Sequence, residues 1–329
     1  MNTANPRDEF RILALSGGGY LGLYTATVLA HIEHRLGEPL GRRFDLIAGT
    51  SVGGLLAMAL AFEVPMAAIV ALFRNRGEDV FSGRRLPSGA VTRLIDLGRS
   101  VMGPKYNGSA LRGELHAHFG DRTLGQALHA VVIPAVDVSR SVTKVFKTPH
   151  VAASRGDEDV KVIDVTMATC AAPAYFPSVP IGGRLYADGG LFAVAPDQVA
   201  MHEAEHFMGV DASRVRMVSI GTATEGYQPS EAVQADAGAV GWLSDGRLIL
   251  TLISVQQQHV QAIMEDRLGT RYLRLDARWP SDAGLGVDVA TPSASATLER
   301  LALATTASLD EKTIKAFFRA TGKSRNAGQ

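Results

Sequence analysis

Short apolar runs alternate along this chain with longer stretches whose apolar positions recur at helical spacing, and that alternation predicts strands interleaved with helices. Residues 11–15 read as a buried strand leading straight into a glycine loop. Residues 21–36 follow with helical periodicity, and Gly37 stands where a left-handed helix end is expected. Residues 44–48 and 52–62 repeat strand and helix, giving βαβα. Farther on, a helix is expected over 109–119, strands over 131–138 and 142–148, a polar turn over 154–159, and a small-residue helix capped by Asp164 and ended near Pro173 and Pro177. Residues 185–187 lead into Asp188, 196–207 is helical, and 215–220 is a strand ending at Gly221. A long helix over 248–267, a strand over 271–275 and terminal helices precede a polar, basic tail over 321–329. Strands alternating with helices imply a mainly parallel sheet covered on both faces, so the expected class is α/β with three α/β/α layers.

Residues 53–73 form the one stretch that rivals a membrane span, apolar for about 20 residues. Glu63 and Pro65 interrupt it, so two helices of roughly ten residues, the first central, are expected instead. Residues 78–107 contain Gly83, Pro87, Gly89, Gly103 and Pro104 with little periodicity, and are expected to form an irregular insertion over the active edge of the sheet. No repeat or low-complexity linker divides the chain. Residues 10–320 therefore read as a single domain.

With 329 residues, 46% of them hydrophobic and 20% charged, the chain can bury a large core and is not of disordered composition. Its 33 Lys and Arg balance 33 Asp and Glu, which argues against a generally basic binder of DNA or RNA polymers. Cys170 is the single cysteine, so no disulfide forms within the chain. Set in a small-residue run, it reads as buried filler, and a reducing cytoplasm is the expected setting. Residues 1–10 are polar and lack the apolar stretch of a secretory signal.

Three motifs carry candidate chemistry. In the second of them, Gly49-Thr50-Ser51-Val52-Gly53, a serine held between strand and helix has its Oγ pushed out of the turn, and the flanking glycines relieve the crowding. The helix beginning at Val52 aims N–H groups and its positive end toward that oxygen. The first motif has more than one reading. Gly17, Gly19 and Gly22 satisfy the dinucleotide fingerprint, which makes a non-enzymatic nucleotide sensor one alternative. That reading wants an acidic residue at the end of the second strand, yet Asp45 stands at its beginning. A phosphate-binding P-loop fails, because Leu23 and Tyr24 replace the required Lys and Ser or Thr. As an oxyanion hole, side-chain-free Gly17, Gly18 and Gly19 would let backbone N–H groups approach a developing negative oxygen beside Ser51.

The third motif, Asp188-Gly189-Gly190, reads alone as a turn. It gains meaning because Ser51 needs a base, and a preorganised Ser-Asp hydrogen bond can take the proton as attack proceeds. The rival is an esterase triad drawing on His202, His206 or His259. Ser51 follows only the second strand, too early for that fold, and no His-Gly-Gly motif accompanies the glycine loop. His202 and His206, four apart beside Glu203 and Glu205, are expected on a solvated helix face rather than at a metal.

Together these motifs resemble the signature elements of the patatin-like phospholipases, lipid acyl hydrolases with a Ser-Asp dyad. Ala171-Ala172-Pro173 and Phe176-Pro177 resemble that family's Ala-Ala-Pro and Phe-Pro stretch, and the similarity spans about residues 10–222. The resemblance implies Ser51 as nucleophile, Asp188 as base, and the amides of Gly17, Gly18 and Gly19 as oxyanion hole, with no metal or cofactor. It implies hydrolysis of acyl esters of membrane phospholipids, at the inner face of the cell membrane, through an acyl-Ser51 intermediate. Leu21 departs from the family's usual Arg or Lys. Arg74, Arg76, Arg84, Arg85, Arg93, Arg99 and Lys105 are candidates to supply that charge, although a solvated face is the plainer reading of them.

The wording from Leu15 to Ala26, and the segment 251–272, further resemble the cyclic-dinucleotide-activated patatin-like effectors of bacterial anti-phage (CBASS) systems. That narrower resemblance implies a dormant phospholipase, switched on by a cyclic dinucleotide such as cGAMP to degrade the cell's own membrane, and a homo-oligomer is expected because one small anion could best supply that shift at a subunit interface. Residues 78–107 are expected to shield Ser51 at rest.

Overall fold

Strand β1 (Phe10–Leu15) is buried at every position, the signature of a central strand covered on both faces. The computed structural model describes residues 9–81, 103–228, 242, 246–280 and 284–318. Within it β1 lies between β2 (Leu46–Gly49) and β7 (Val215–Ile220), parallel to both. Outward from β7 comes parallel β8 (Tyr272–Leu275), and outward from β2 comes parallel β3 (Val131–Asp137). Beyond β3 the sheet turns antiparallel through β4 (Val142–Lys147), β5 (Val179–Ile181) and β6 (Arg184–Asp188).

The pairing of β3 does the most to build the site. Its residues 132–137 pair with β4 along one edge, while on the other edge 131–132 pair with β2 and 135–137 with β6. Strand β6 therefore takes up where β2 leaves off. Asp188, opposite Ala135, arrives beside the turn that leaves β2 at Gly49.

Alternate residues of β1 feed two cores, as a period of two requires. Leu13 and Leu15 join the larger, with α1 (Gly22–Leu36), α2 (Val52–Ala61), α3 (Met66–Val80), α4 (Ser109–Phe119) and α5 (Val162–Thr169). Ile12 and Ala14 join the smaller, with α6 (Asp197–His202) and the far half of α7 (Arg247–Leu268). The near half of α7 gives Leu250 and Ile253 to the larger core, as do α8 (Pro292–Ala307) and α9 (Glu311–Phe317). The expected three layers are present. Helix α2 is buried all round, as a central helix of uniformly apolar sequence should be. No helix among the described residues is long and apolar enough to cross a membrane.

Several local expectations change. Helix α3 continues to Val80, so 78–80 are helical rather than the start of an irregular insertion. Residues 82–102, with Arg84, Arg85, Arg93 and Arg99, lie outside the described residues, as does the tail 321–329. Asp164 does not cap α5: Lys161 holds the cap position, and Asp164 sits in the first turn, accepting from Arg112 Nη1 at 2.9 Å. Strand β5 carries no readable pattern because it is three residues long with Pro180 at its centre. Helix α6 ends at His202, and a π-helical turn, Glu203–Phe207, completes the helical stretch.

Gly53 and Gly113 should answer oppositely to alanine. A Cβ on Gly53 would lie 2.2 Å from Leu15 O, so Gly53→Ala must push α2 off β1, at a cost of about 1–3 kcal/mol and several degrees of melting temperature. On exposed α4 a Cβ at Gly113 meets nothing, and Gly113→Ala should stabilise by about 0.5–1 kcal/mol through helix propensity. Thermal or urea melts of the two variants check both signs.

Candidate active site

Ser51 stands at the N-cap of α2 with φ 55° and ψ −126°, a conformation that costs a non-glycine residue about 1–3 kcal/mol and persists only when neighbours hold it. They do. Ser51 N–H donates to Thr169 Oγ1 at 2.9 Å, and Thr169 in turn donates to Pro134 O at 2.6 Å. On the preceding residue, Thr50 Oγ1 donates to Ala193 O at 2.7 Å, and Thr50 N–H to Leu15 O at 3.2 Å. The Ser51 side chain is thereby turned outward from the strand-to-helix bend.

Asp188 ends β6 and is 5% exposed. Its Oδ1 accepts from Gly190 N–H at 2.7 Å, and the neighbouring Ser51 hydroxyl favours the charged form of the same carboxyl. Burial dominates and pushes its pKa up to about 7, against the downward pull of the Gly190 N–H and the Ser51 hydroxyl. Gly189, behind it, lies so close to Pro134 O that a Cβ would sit 2.3 Å away. The motif thus brings the carboxyl to Ser51 by letting the chain press on β3.

The glycine loop supplies two amides rather than three. Gly17 N–H is committed to Val194 O at 2.9 Å, which corrects the expectation that it would be available to a ligand. Gly18 and Gly19 N–H groups meet no acceptor among the described residues. Gly19 has φ 59° and a Cβ there would fall 2.1 Å from Val287 O, so this position requires glycine on both counts. Gly22 starts α1 against Val52, whose Cγ2 would be 2.3 Å from an added Cβ. The three motifs meet as the sequence implied.

They form the floor of a pocket enclosing about 1150 Å³, part of it open to solvent. Leu55, Phe73, Phe81, Phe176, Ile253 and Val287 wall it, and Asp188 is the only charged residue among the described lining. No histidine lines it there. His202 and His206 are exposed and stacked at 5.0 Å, as expected of a solvated face, and His259 is exposed on α7. Glu203 differs from its neighbours: it is buried, accepting from His150 Nε2 and Ser154 Oγ at 3.0 Å each. Cys170 is indeed buried, yet it also lines the pocket beside Ser51, and burial pushes its thiol well up. A neutral thiol there is a poor nucleophile.

Leu21 is fully buried in the larger core. Of the cations named as substitutes, Arg74 pairs with Glu299, Arg76 with Glu114 and Asp79, and Lys105 with Asp288. None of the three lines the pocket. Asp45 is occupied at the opposite end of the strands, where its Oδ2 accepts from Arg11 N–H at 2.9 Å. That placement removes the acidic partner a dinucleotide fingerprint would need beside the glycine loop.

The arrangement can accept an apolar chain with an ester at its head, because the walls are apolar and the polar atoms are gathered at the floor. A family model described as patatin-like phospholipase matches residues 13–201. Three proteins named cGAMP-activated phospholipase are similar over most of their length. The one from Pseudomonas aeruginosa is 38% identical over 95% of this chain and 89% of its own. Those from Vibrio cholerae and Escherichia coli are each 32% identical, over 88% and 89% of this chain and 87% of their own. Motifs, fold and similarity agree, and the chain is an enzyme of the patatin-like phospholipase family.

Proposed function

We propose that this enzyme hydrolyses acyl esters of membrane phospholipids with Ser51 as nucleophile and Asp188 as the base. The observation that carries the reading is the Ser51 side chain set beside a buried carboxyl at the floor of an apolar pocket whose described lining has no histidine. In the ionised state Asp188 takes the hydroxyl proton as Oγ bonds to the ester carbonyl carbon. Charge develops on the carbonyl oxygen, and the amides of Gly18 and Gly19, which meet no acceptor among the described residues, stabilise it together with the N-terminal end of α2. Collapse breaks the bond to the alcohol, and protonated Asp188 returns its proton to that leaving oxygen. Water, deprotonated by the same carboxylate, then attacks the acyl carbon; the bond to Ser51 Oγ breaks, Oγ takes the proton back from Asp188, and the fatty acid leaves. Every step uses residues of the chain.

We infer from the relatives' names that a cyclic dinucleotide such as cGAMP activates this chain, and we propose that 10–320 act as one unit within a homo-oligomer. The proposed shield of Ser51 at rest is 78–107, of which 82–102 lie outside the described residues, while Val80, the last residue of α3, and Phe81 line the pocket. A shift from about 1% to 99% active requires the ligand to bind the active state about 5.5 kcal/mol more tightly. Vesicles of bacterial phospholipid should release fatty acid when cGAMP is added, with no release by Ser51→Ala. Equal release with and without cyclic dinucleotides, and unchanged sedimentation, would remove the activation while leaving the hydrolase.

Ser51→Ala and Asp188→Asn should each abolish hydrolysis in a folded protein, and the double variant should lose no more than either single one. His202→Ala, His206→Ala and His259→Ala should keep most activity. A thousandfold loss in one of these, with a normal melt, would return the triad.

The pH dependence follows from the carboxyl being raised from 3.8 to about 7. Because the base works ionised, kcat/KM should rise with pH, reach half its plateau near pH 7 and level off above it. Stability runs the other way. The folded state holds this proton more tightly than the unfolded chain, so the Asp188 contribution falls as pH climbs from about 4 to about 7. Asp188→Asn removes that fall, and at pH 8 it should melt at or above the wild-type temperature while remaining inactive.

A further inference from the structure

Helix α7 lies wholly beyond the residues matched by the family model, yet it reaches the floor of the pocket. Gln256, half-buried on that helix, makes two hydrogen bonds to one loop. Its Oε1 accepts from Val194 N–H at 3.1 Å and its Nε2 donates to Gly190 O at 3.2 Å. The partners fix the amide's orientation, since an N–H needs the oxygen and a carbonyl needs the nitrogen.

The clamped loop serves both halves of the site. At one end Gly190 N–H donates to Asp188 Oδ1 at 2.7 Å, and at the other Val194 O accepts from Gly17 N–H at 2.9 Å. Between them Ala193 O accepts from Thr50 Oγ1, the side chain next to Ser51. One amide thus ties α7 to the carboxyl, the serine turn and the glycine loop. The next residue, Gln257, bonds Thr222 Oγ1 at 3.5 Å, and Thr222 Oγ1 donates to Gly17 O at 3.4 Å. One to two turns earlier, Ile249, Leu252 and Ile253 of α7 wall the pocket, so the same helix sets the proposed acyl groove and the floor.

We propose that Gln256 is a positioning residue for the Ser51–Asp188 pair, holding the 189–194 loop so that the carboxyl and the Gly18–Gly19 amides face one reacting centre. The inference rests on the reading of Ser51 as nucleophile and Asp188 as base. It makes α7 the element through which a displacement elsewhere in the chain reaches the chemistry.

Gln256→Met keeps the length of the side chain and removes both bonds, while Gln256→Glu keeps the acceptor for Val194 N–H and loses the donor to Gly190 O. With p-nitrophenyl butyrate as the probe, assayed with and without cGAMP, Gln256→Met should lower kcat by roughly 10- to 100-fold, the scale of a small misplacement of reacting groups. KM should change less than about threefold, since the apolar walls remain. Gln256→Glu should fall between Met and wild type. Loosening the Gly190 bond to Asp188 should also move the pH midpoint of kcat/KM above that of the wild type.

Hydrogen exchange supplies a readout that does not need turnover. Peptides covering 189–194 and 16–22 should exchange faster in Gln256→Met, and those of α1 should not. Wild-type kcat, pH midpoint and exchange in this variant would overturn the proposal. So would uniformly faster exchange with a collapsed melt in both variants, which marks a plain stabilising contact. If the wild-type enzyme shows no hydrolysis sensitive to Ser51→Ala, the nucleophile reading fails instead, and the local exchange at 189–194 and 16–22 still decides whether Gln256 is the clamp.

Discussion

The close approach of the first turn of α2 to the end of β1 is the contact on which the rest of the site depends. Gly53 lies where a Cβ would press to 2.2 Å from Leu15 O, and Gly49 where one would press to 2.1 Å from Gly53 O. Only a chain without side chains at both positions can bend this sharply from strand into helix, and the bend forces Ser51 to φ 55°. The strained residue is then the one whose hydroxyl projects into the pocket. Fully apolar α2 gives the bend its rigidity, since all ten of its residues are buried and none can shift toward water.

Burial of Asp188 is the second constraint, and it accounts for the absence of a third catalytic partner in the proposed chemistry. A solvated carboxylate is too weak a base for an alkoxyl proton. Here burial raises the carboxyl to about 7, while the bond from Gly190 N–H holds it in place beside Ser51. Raising a carboxylate this way destabilises the ionised folded protein, so the site trades stability for basicity. The apolar walls serve both ends, since they suit an apolar chain and they exclude the water that would return the carboxyl to its ordinary value.

Elements late in the chain complete what the early motifs begin. Val287 O accepts from Tyr20 N–H at 2.7 Å and crowds Gly19, fixing the glycine loop from outside the matched family region. Asp288 accepts from Lys105 Nζ at 2.7 Å and Tyr106 Oη at 2.8 Å, anchoring the residues that follow 82–102 to the loop before α8. Arg274 is buried behind Ser16 and bonds Ser219, Asp276 and Gln257, so the backing of the glycine loop is a charge network rather than apolar packing.

The sequence by itself determined the order of strands and helices, the uniform apolarity of β1 and α2, and the three glycine-bracketed motifs. These depend on neighbours in the chain, so spacing and residue type reveal them. The meeting of Ser51 with Asp188 could be argued from chemical need. Its cause, β6 continuing along the edge of β3 that β2 vacates, is a matter of sheet pairing and leaves no mark in either segment. The amide of Gly17 was spoken for by Val194 O, and Asp164 bonds Arg112 from the first turn of α5 instead of capping it, because distant segments compete for local groups. Gln256 sits in a run of three glutamines that reads as the polar side of a helix. Only tertiary packing, which sets α7 against the 189–194 loop, turned that side inward and gave its amide two backbone partners.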